Sequence, residues 1–172
     1  MAKGEGAGDV PREIIPGGDP ALRAVVQRVR HGQVSVAGRA IAEIGTGYVI
    51  LLGVGQGDTE AQARWLAEKI AVLRVFEDKA GKSNLSIQDV GGEAIVVSQF
   101  TLYADSSKGR RPSFIHAAPA AVAEPLVNRF QELLQDLGVP CQAGEFGAHM
   151  LVEIENDGPV TIILERAPIL EG

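Results

Sequence analysis

Apolar and polar positions alternate from Leu22 to Val36, with Val25, Val26, Val29, Val34 and Val36 supplying β-branched side chains. Period-two alternation marks a strand with one buried face, and Gly32 breaks it, so the pattern predicts two strands joined at His31-Gly32. A second pair is predicted around the Gly45-Thr46-Gly47 turn, with Ile41 and Ile44 before it and Tyr48 to Leu52 after it. The period then lengthens. From Thr59 to Phe76, positions such as Ala63, Leu66, Ile70 and Leu73 fall on one face of a helix, with Asp58 as its N-cap. Glu77 to Lys82 reads as a turn, and Asn84 to Val90 as a short element of ambiguous type closed by Gly91-Gly92. Ala94 to Val97 is a buried strand that runs directly into Ser98-Gln99-Phe100-Thr101-Leu102-Tyr103. After a polar loop from Asp105 to Ser113, a second helix from about Ala120 to Leu137 packs through Leu126, Phe130, Leu133 and Leu134, and Gly138 stops it. Two final strands, Met150 to Ile154 and Val160 to Leu164, flank Asn156-Asp157-Gly158-Pro159. Many strands, two main helices and short connections predict an α+β domain with a mainly antiparallel sheet.

Composition narrows the class. A chain of 172 residues predicts one domain able to bury about 70% of its unfolded surface without a disulfide or metal. Residues 1–21 form a leader whose first twenty residues hold five glycines and three prolines, too little apolar surface to offset the entropy of ordering. The folded unit is expected over 22–166, with 167–172 as a tail. Sixteen basic against 22 acidic residues leave a net charge of −6, the wrong balance for a protein that coats DNA. The longest apolar run, Tyr48 to Leu52, is far too short to span a bilayer, so no membrane partner is expected. Cys141 is the single cysteine, which excludes an internal disulfide and fits a reducing, cytoplasmic compartment.

Ordinary catalytic signatures are missing. His31, His116 and His149 share no metal-ligand spacing and read as surface or loop histidines, so no metal and no cofactor is expected. The Gly53-Val54-Gly55-Gln56-Gly57 run lacks the Lys-Ser/Thr of a phosphate loop and reads as a turn. Ser98 lies between Val97 and Gln99, outside any G-x-S-x-G elbow. The unusual feature is Ser98, Gln99, Thr101 and Tyr103 packed at the end of a buried strand. Unmade buried hydrogen bonds cost about 1–3 kcal/mol, so these groups either cap a turn or bind a carbonyl and its developing oxyanion.

Ser98-Gln99-Phe100-Thr101-Leu102 and Asn156-Asp157-Gly158-Pro159-Val160-Thr161 resemble the two signature motifs of D-aminoacyl-tRNA deacylases. Arg23 to Val29 resembles that family's opening strand, Leu51 to Val54 its second hairpin, and Arg111-Pro112-Ser113-Phe114 its post-motif loop. Ser83 and Leu151 depart from residues common in the family, and the leader is additional, but both motifs are intact. The resemblance implies a sheet rolled into a barrel-like core with two flanking helices. It implies a homodimer, active sites at the subunit interface, that cleaves the ester of D-aminoacyl-tRNA and of mischarged glycyl-tRNA. It further implies a cis Gly158-Pro159 bond reaching into the partner's pocket, where the backbone rejects L side chains. Only proline makes a cis bond inexpensive, at about 0.5–1 kcal/mol against trans.

On the same resemblance, Ser98 and Gln99 orient the substrate, backbone groups around Phe100 and Thr101 polarise the ester, and the tRNA's terminal 2′-hydroxyl drives the chemistry. Thr101 has no base in the sequence to make it a nucleophile. Phe100, Phe114 and Met150 are candidates to line an adenosine pocket, Arg28 to hold the Gly158-Pro159 turn, and Lys108, Arg110 and Arg111 to meet tRNA phosphates. Two rivals stand beside this reading: an ester or amide hydrolase of small molecules on the same scaffold, and a non-enzymatic RNA-binding or oligomeric scaffold protein whose polar strand end is structural.

Overall fold

The computed structural model describes residues 21–168, so nearly all of the expected leader and the end of the tail lie outside the described residues. Strand β1 (Leu22–Val36) is one strand of 15 residues, which corrects the expected break at His31-Gly32. The chain reverses at Ala37-Gly38 instead, where both residues take the positive φ (49° and 78°) that a tight two-residue hairpin requires. Gly32 serves packing rather than turning: a Cβ there would lie 2.7 Å from Val49 Cγ2.

Strands β2 (Arg39–Ile44) and β3 (Gly47–Gly53) lie end to end along the same edge of β1. The register runs from Val36↔Arg39 to Gly32↔Ile44 and resumes from Val29↔Gly47 to Arg23↔Gly53. Gly45-Thr46 is therefore a jog within one long hairpin arm, not a reversal between paired strands.

Helix α1 (Glu60–Val72) starts after Thr59, not Asp58, because the Gln62 side chain accepts from the Thr59 N–H (2.7 Å) and hydroxyl (2.8 Å). It also ends earlier than the apolar period suggested. Leu73 turns extended (φ −56°, ψ 131°), and Phe76 enters a small antiparallel pair, β4 (Phe76–Glu77) with β5 (Ser83–Leu85).

Strand β6 (Glu93–Ser98) pairs parallel to β3, and helix α2 (Ala120–Asp136) crosses over to β7 (Cys141–Ala143), parallel to β6. The two expected final strands are halves of one, β8 (Leu151–Arg166), antiparallel to β1 throughout. The register passes from Gln27↔Thr161 to Val29↔Asn156, so four residues of β8, Asp157 to Val160, bulge out opposite Arg28.

The sheet is mixed: β8 takes one edge of β1, β2 and β3 share the other, and β6 and β7 continue outward from β3, so that the sheet curls nearly into a barrel flanked by the two helices. The remaining gap between β2 and β7 is spanned by Gln142, whose side-chain amide accepts from the Glu43 N–H (2.9 Å) and donates to the Glu43 carbonyl (2.8 Å). The larger apolar core lies between sheet and helices, around Tyr48, Leu66, Ile70 and Phe130. A smaller one, including Val34, Val49, Ile95 and Val97, fills the inside of the curl. Among the described residues no helix is long and apolar enough to cross a membrane.

Candidate active site

Beside this inner core, at the C-terminal end of β6, opens a cavity of about 440 Å³. Ser98, Gln99 and Phe100 form one wall, Ala120 and Ala123 of α2 another, and Met150 a third. Local hydrogen bonding shapes the first wall. The Gln99 N–H donates to the Leu52 carbonyl (2.8 Å), after which the chain winds into a 3₁₀ turn over Phe100–Tyr103. The sequence alone suggested a strand end here. Gly53 is what lets the turn fold back onto β3, since a Cβ there would meet Tyr103 Cε2 at 2.9 Å and the Gln99 carbonyl at 3.2 Å.

Within the turn, Phe100 is 57% exposed and meets the Phe114 ring edge-on, centroids 5.1 Å apart. Thr101 is exposed, and its Oγ1 accepts from the Gln99 side-chain amide. Met150 closes the far side, against Gly144, where a Cβ would come 2.5 Å from the sulfur. His149 supplies the only ionisable side chain of the lining, so one of the three histidines does reach the site. The cavity is therefore apolar with neutral donors along one edge.

Beneath the turn lies a buried polar cluster. Arg23 donates to the Leu102 carbonyl (3.0 Å), lies over the Tyr103 ring (4.7 Å) and pairs with Glu165 (3.0 Å). The Tyr103 hydroxyl sits between the carbonyls of Ala21 and Gly53. Asp58, turned inward rather than capping α1, takes backbone hydrogen bonds from Gly55 and Leu22. Burial pushes its carboxyl up to about 6, against the pull of those bonds and of Arg23.

The second motif lies elsewhere on the molecule. Arg28, buried, donates from Nε to the Asp157 carbonyl (2.8 Å) and from Nη1 to the Val75 carbonyl (2.5 Å), gripping the excursion of β8 from beneath. Asn156 ties its two ends, accepting from the Val160 N–H (2.7 Å) and donating to the Val160 carbonyl (3.2 Å) and to Thr161 Oγ1 (3.1 Å). Gly158 and Pro159 are exposed, and the bond between them is cis. Gly158 and Arg28 border a separate cavity of about 220 Å³. Lys108, Arg110 and Arg111 stand exposed on the loop that the Asp105↔Ser113 bridge closes.

The family model described as D-Tyr-tRNA(Tyr) deacylase matches residues 25–165, both motifs included. The chain belongs to that family. A D-aminoacyl-tRNA deacylase of Thermomicrobium roseum is 57% identical over 151 residues, covering 88% of this chain and 98% of the relative. One of Roseiflexus castenholzii is 60% identical over 146 residues, with 85% and 93% covered. Among solved structures, the c-Myc DNA Unwinding Element Binding Protein matches with a TM-score of 0.77 and 44% identity, over 83% of this chain and 97% of that one. A probable eukaryotic D-amino acid tRNA deacylase shares the fold at a TM-score of 0.74 and 17% identity, over 84% and 99%.

In this deacylase-family chain the sequence-predicted residues divide into two groups. Ser98, Gln99, Phe100 and Met150 converge on one cavity, with Phe114 packed against it. Gly158, Pro159 and Arg28 gather at the β8 excursion and do not line it. Sequence reasoning took Asp58 for a helix cap, counted Tyr103 among the polar groups of the strand end, and gave Arg23 and Phe146 no place in the site.

Proposed function

We propose that the protein hydrolyses the ester between a D-amino acid and the 3′ end of tRNA, releasing both, and so removes D-aminoacyl groups before they reach translation in the cytoplasm. The observation that carries this reading is the neutral cavity walled by Ser98, Gln99 and Phe100, in a chain of this family. A splayed-out terminal adenine fits the apolar surface of Phe100 and Met150, with Phe114 supporting the Phe100 ring. The ester then lies against the 3₁₀ turn, whose first backbone N–H groups, of Phe100 and Thr101, have no partner within the turn and are free to polarise a carbonyl. Ser98 and Gln99 orient the strand end. Thr101 has its hydroxyl engaged by Gln99 and no hydrogen-bonded base, so attack is assigned to a water that the vicinal 2′-hydroxyl of the tRNA activates, which adds to the ester carbonyl and expels the 3′-oxygen.

Chiral selection belongs to Gly158-Pro159. The excursion is exposed and held rigidly by Arg28 and Asn156, which supports its insertion into the cavity of a second copy. There its backbone would collide with an L side chain, pass a D side chain and leave glycine unchallenged, so glycyl-tRNA is a second substrate. The homodimer reading also draws support from β8, where Leu151 (64%) and Ile163 (66%) expose large apolar side chains. The basic side chains of Lys108, Arg110 and Arg111 face solvent, suited to tRNA phosphates.

Deacylation of D-tyrosyl-tRNA against L-tyrosyl-tRNA tests the reading. Rapid release from the D substrate with the L substrate spared is expected. Equal rates, or faster turnover of free D-tyrosine esters than of charged tRNA, would overturn it.

A further inference from the structure

A second, smaller cavity of about 170 Å³ adjoins the first, and Ser98 and Phe146 line both. Its outer wall is α2, which presents Glu124, Asn128 and Gln131. These stand at i, i+4 and i+7, one stripe of a helix about 10 Å long, roughly the reach of one nucleotide. Val127 and Gly144 supply an apolar floor. The helix turns its other faces elsewhere: Leu126, Phe130 and Leu134 go into the core, and Arg129 pairs with Glu60 and Glu132. The side chains of Glu124, Asn128 and Gln131 make no hydrogen bond or ion pair within the described residues. One carboxylate and two amides thus line a groove that opens from the proposed adenosine pocket, with their hydrogen-bonding capacity unspent.

We propose that this groove binds the base of the nucleotide preceding the terminal adenosine, a cytidine in every tRNA. The inference rests on the aminoacyl-tRNA reading. Cytosine offers an amino group that a carboxylate accepts, as Glu124 would, and a ring nitrogen and carbonyl that Asn128 and Gln131 amides would donate to. The absence of a basic side chain from the lining suits a base and not a phosphate, which leaves the phosphates to the exposed loop cations. Ser98, between the two cavities, then sits where the chain passes from one base to the next.

The experiment compares D-tyrosyl-tRNA with the D-tyrosyl ester of adenosine, which lacks the preceding nucleotide. For the Glu124→Ala protein and the Asn128→Ala, Gln131→Ala double variant, KM for the tRNA is expected to rise about tenfold relative to KM for the adenosine ester, with kcat on the tRNA little altered. A change shared equally by both substrates, or by neither, overturns the groove. Binding is read independently of turnover from the side-chain amide NMR signals of Asn128 and Gln131. Cytidylyl-(3′→5′)-adenosine is expected to shift them and adenosine alone to leave them in place; no shift with the dinucleotide overturns the proposal. A parent protein inactive on both esters would refute the deacylase reading, while the NMR titration would still decide the groove.

Discussion

Thr101 illustrates how a single hydroxyl is removed from contention as a nucleophile. It is exposed, bound to the Gln99 amide, and no histidine or carboxylate hydrogen-bonds it. Thr101→Ala is therefore expected to retain single-turnover deacylation within about tenfold of the parent. A loss of several orders of magnitude with tRNA binding intact, or an acyl adduct on Thr101, would show the opposite. Asp58 carries a different consequence. Its carboxyl titrates near 6 when folded, above the 3.8 of an open chain, so between these values the folded state holds the extra proton. Stability from this group is thus full below pH 4 and is lost as pH rises through 6, by about 3 kcal/mol at most. Asp58→Asn keeps an acceptor for Gly55 and removes the charge. Urea unfolding should show the variant gaining on the parent between pH 4 and pH 7, and a constant difference would contradict the shift.

At the scale of elements, the decisive piece is the four-residue excursion of β8. Gly158 has φ +137°, and a Cβ on it would lie 2.9 Å from both Arg28 Nη2 and Val160 Cγ2. Gly158→Ala must displace the Arg28 clamp or the turn, at a cost of about 1–3 kcal/mol. The D-over-L ratio is expected to fall at least tenfold or deacylation to collapse, measured with D- and L-tyrosyl-tRNA on protein shown by circular dichroism to be folded. An unchanged ratio would remove the turn from chiral selection. This element also shows what the sequence could and could not disclose. Alternation located both halves of β8, and the motif marked its middle, yet nothing local distinguishes an excursion within a strand from a turn between strands. Partnering with β1 decides that, and partnering is a long-range property. The same holds at Gly32, which looked like a turn but marks close packing against Val49. The first-motif residues were legible because they are contiguous. Phe146 and Arg23 enter the site or its support from distant segments, and no spacing rule connects them to Ser98.

For the whole molecule, the described residues contain no group of three or more histidine, cysteine or acidic side chains able to hold a metal. Deacylation should accordingly survive exhaustive EDTA treatment once tRNA folding is controlled, and activity restored only by one particular divalent ion would refute this. The curled sheet itself is fastened unevenly. Strand β1 shares long ladders with β3 and β8, whereas β2 and β7 are joined through the one amide of Gln142. Parting them sacrifices two hydrogen bonds, about 1–3 kcal/mol, well below what separating β1 from β8 would demand. The barrel consequently has a preferred place to breathe, and that seam lies over the small inner core formed by Val34, Ile44, Val49 and Ile95. Fluctuations there would loosen the floor beneath Val97 and Ser98 while leaving the helices docked, so the cavity at the end of β6 rests on a thinly fastened closure of the barrel.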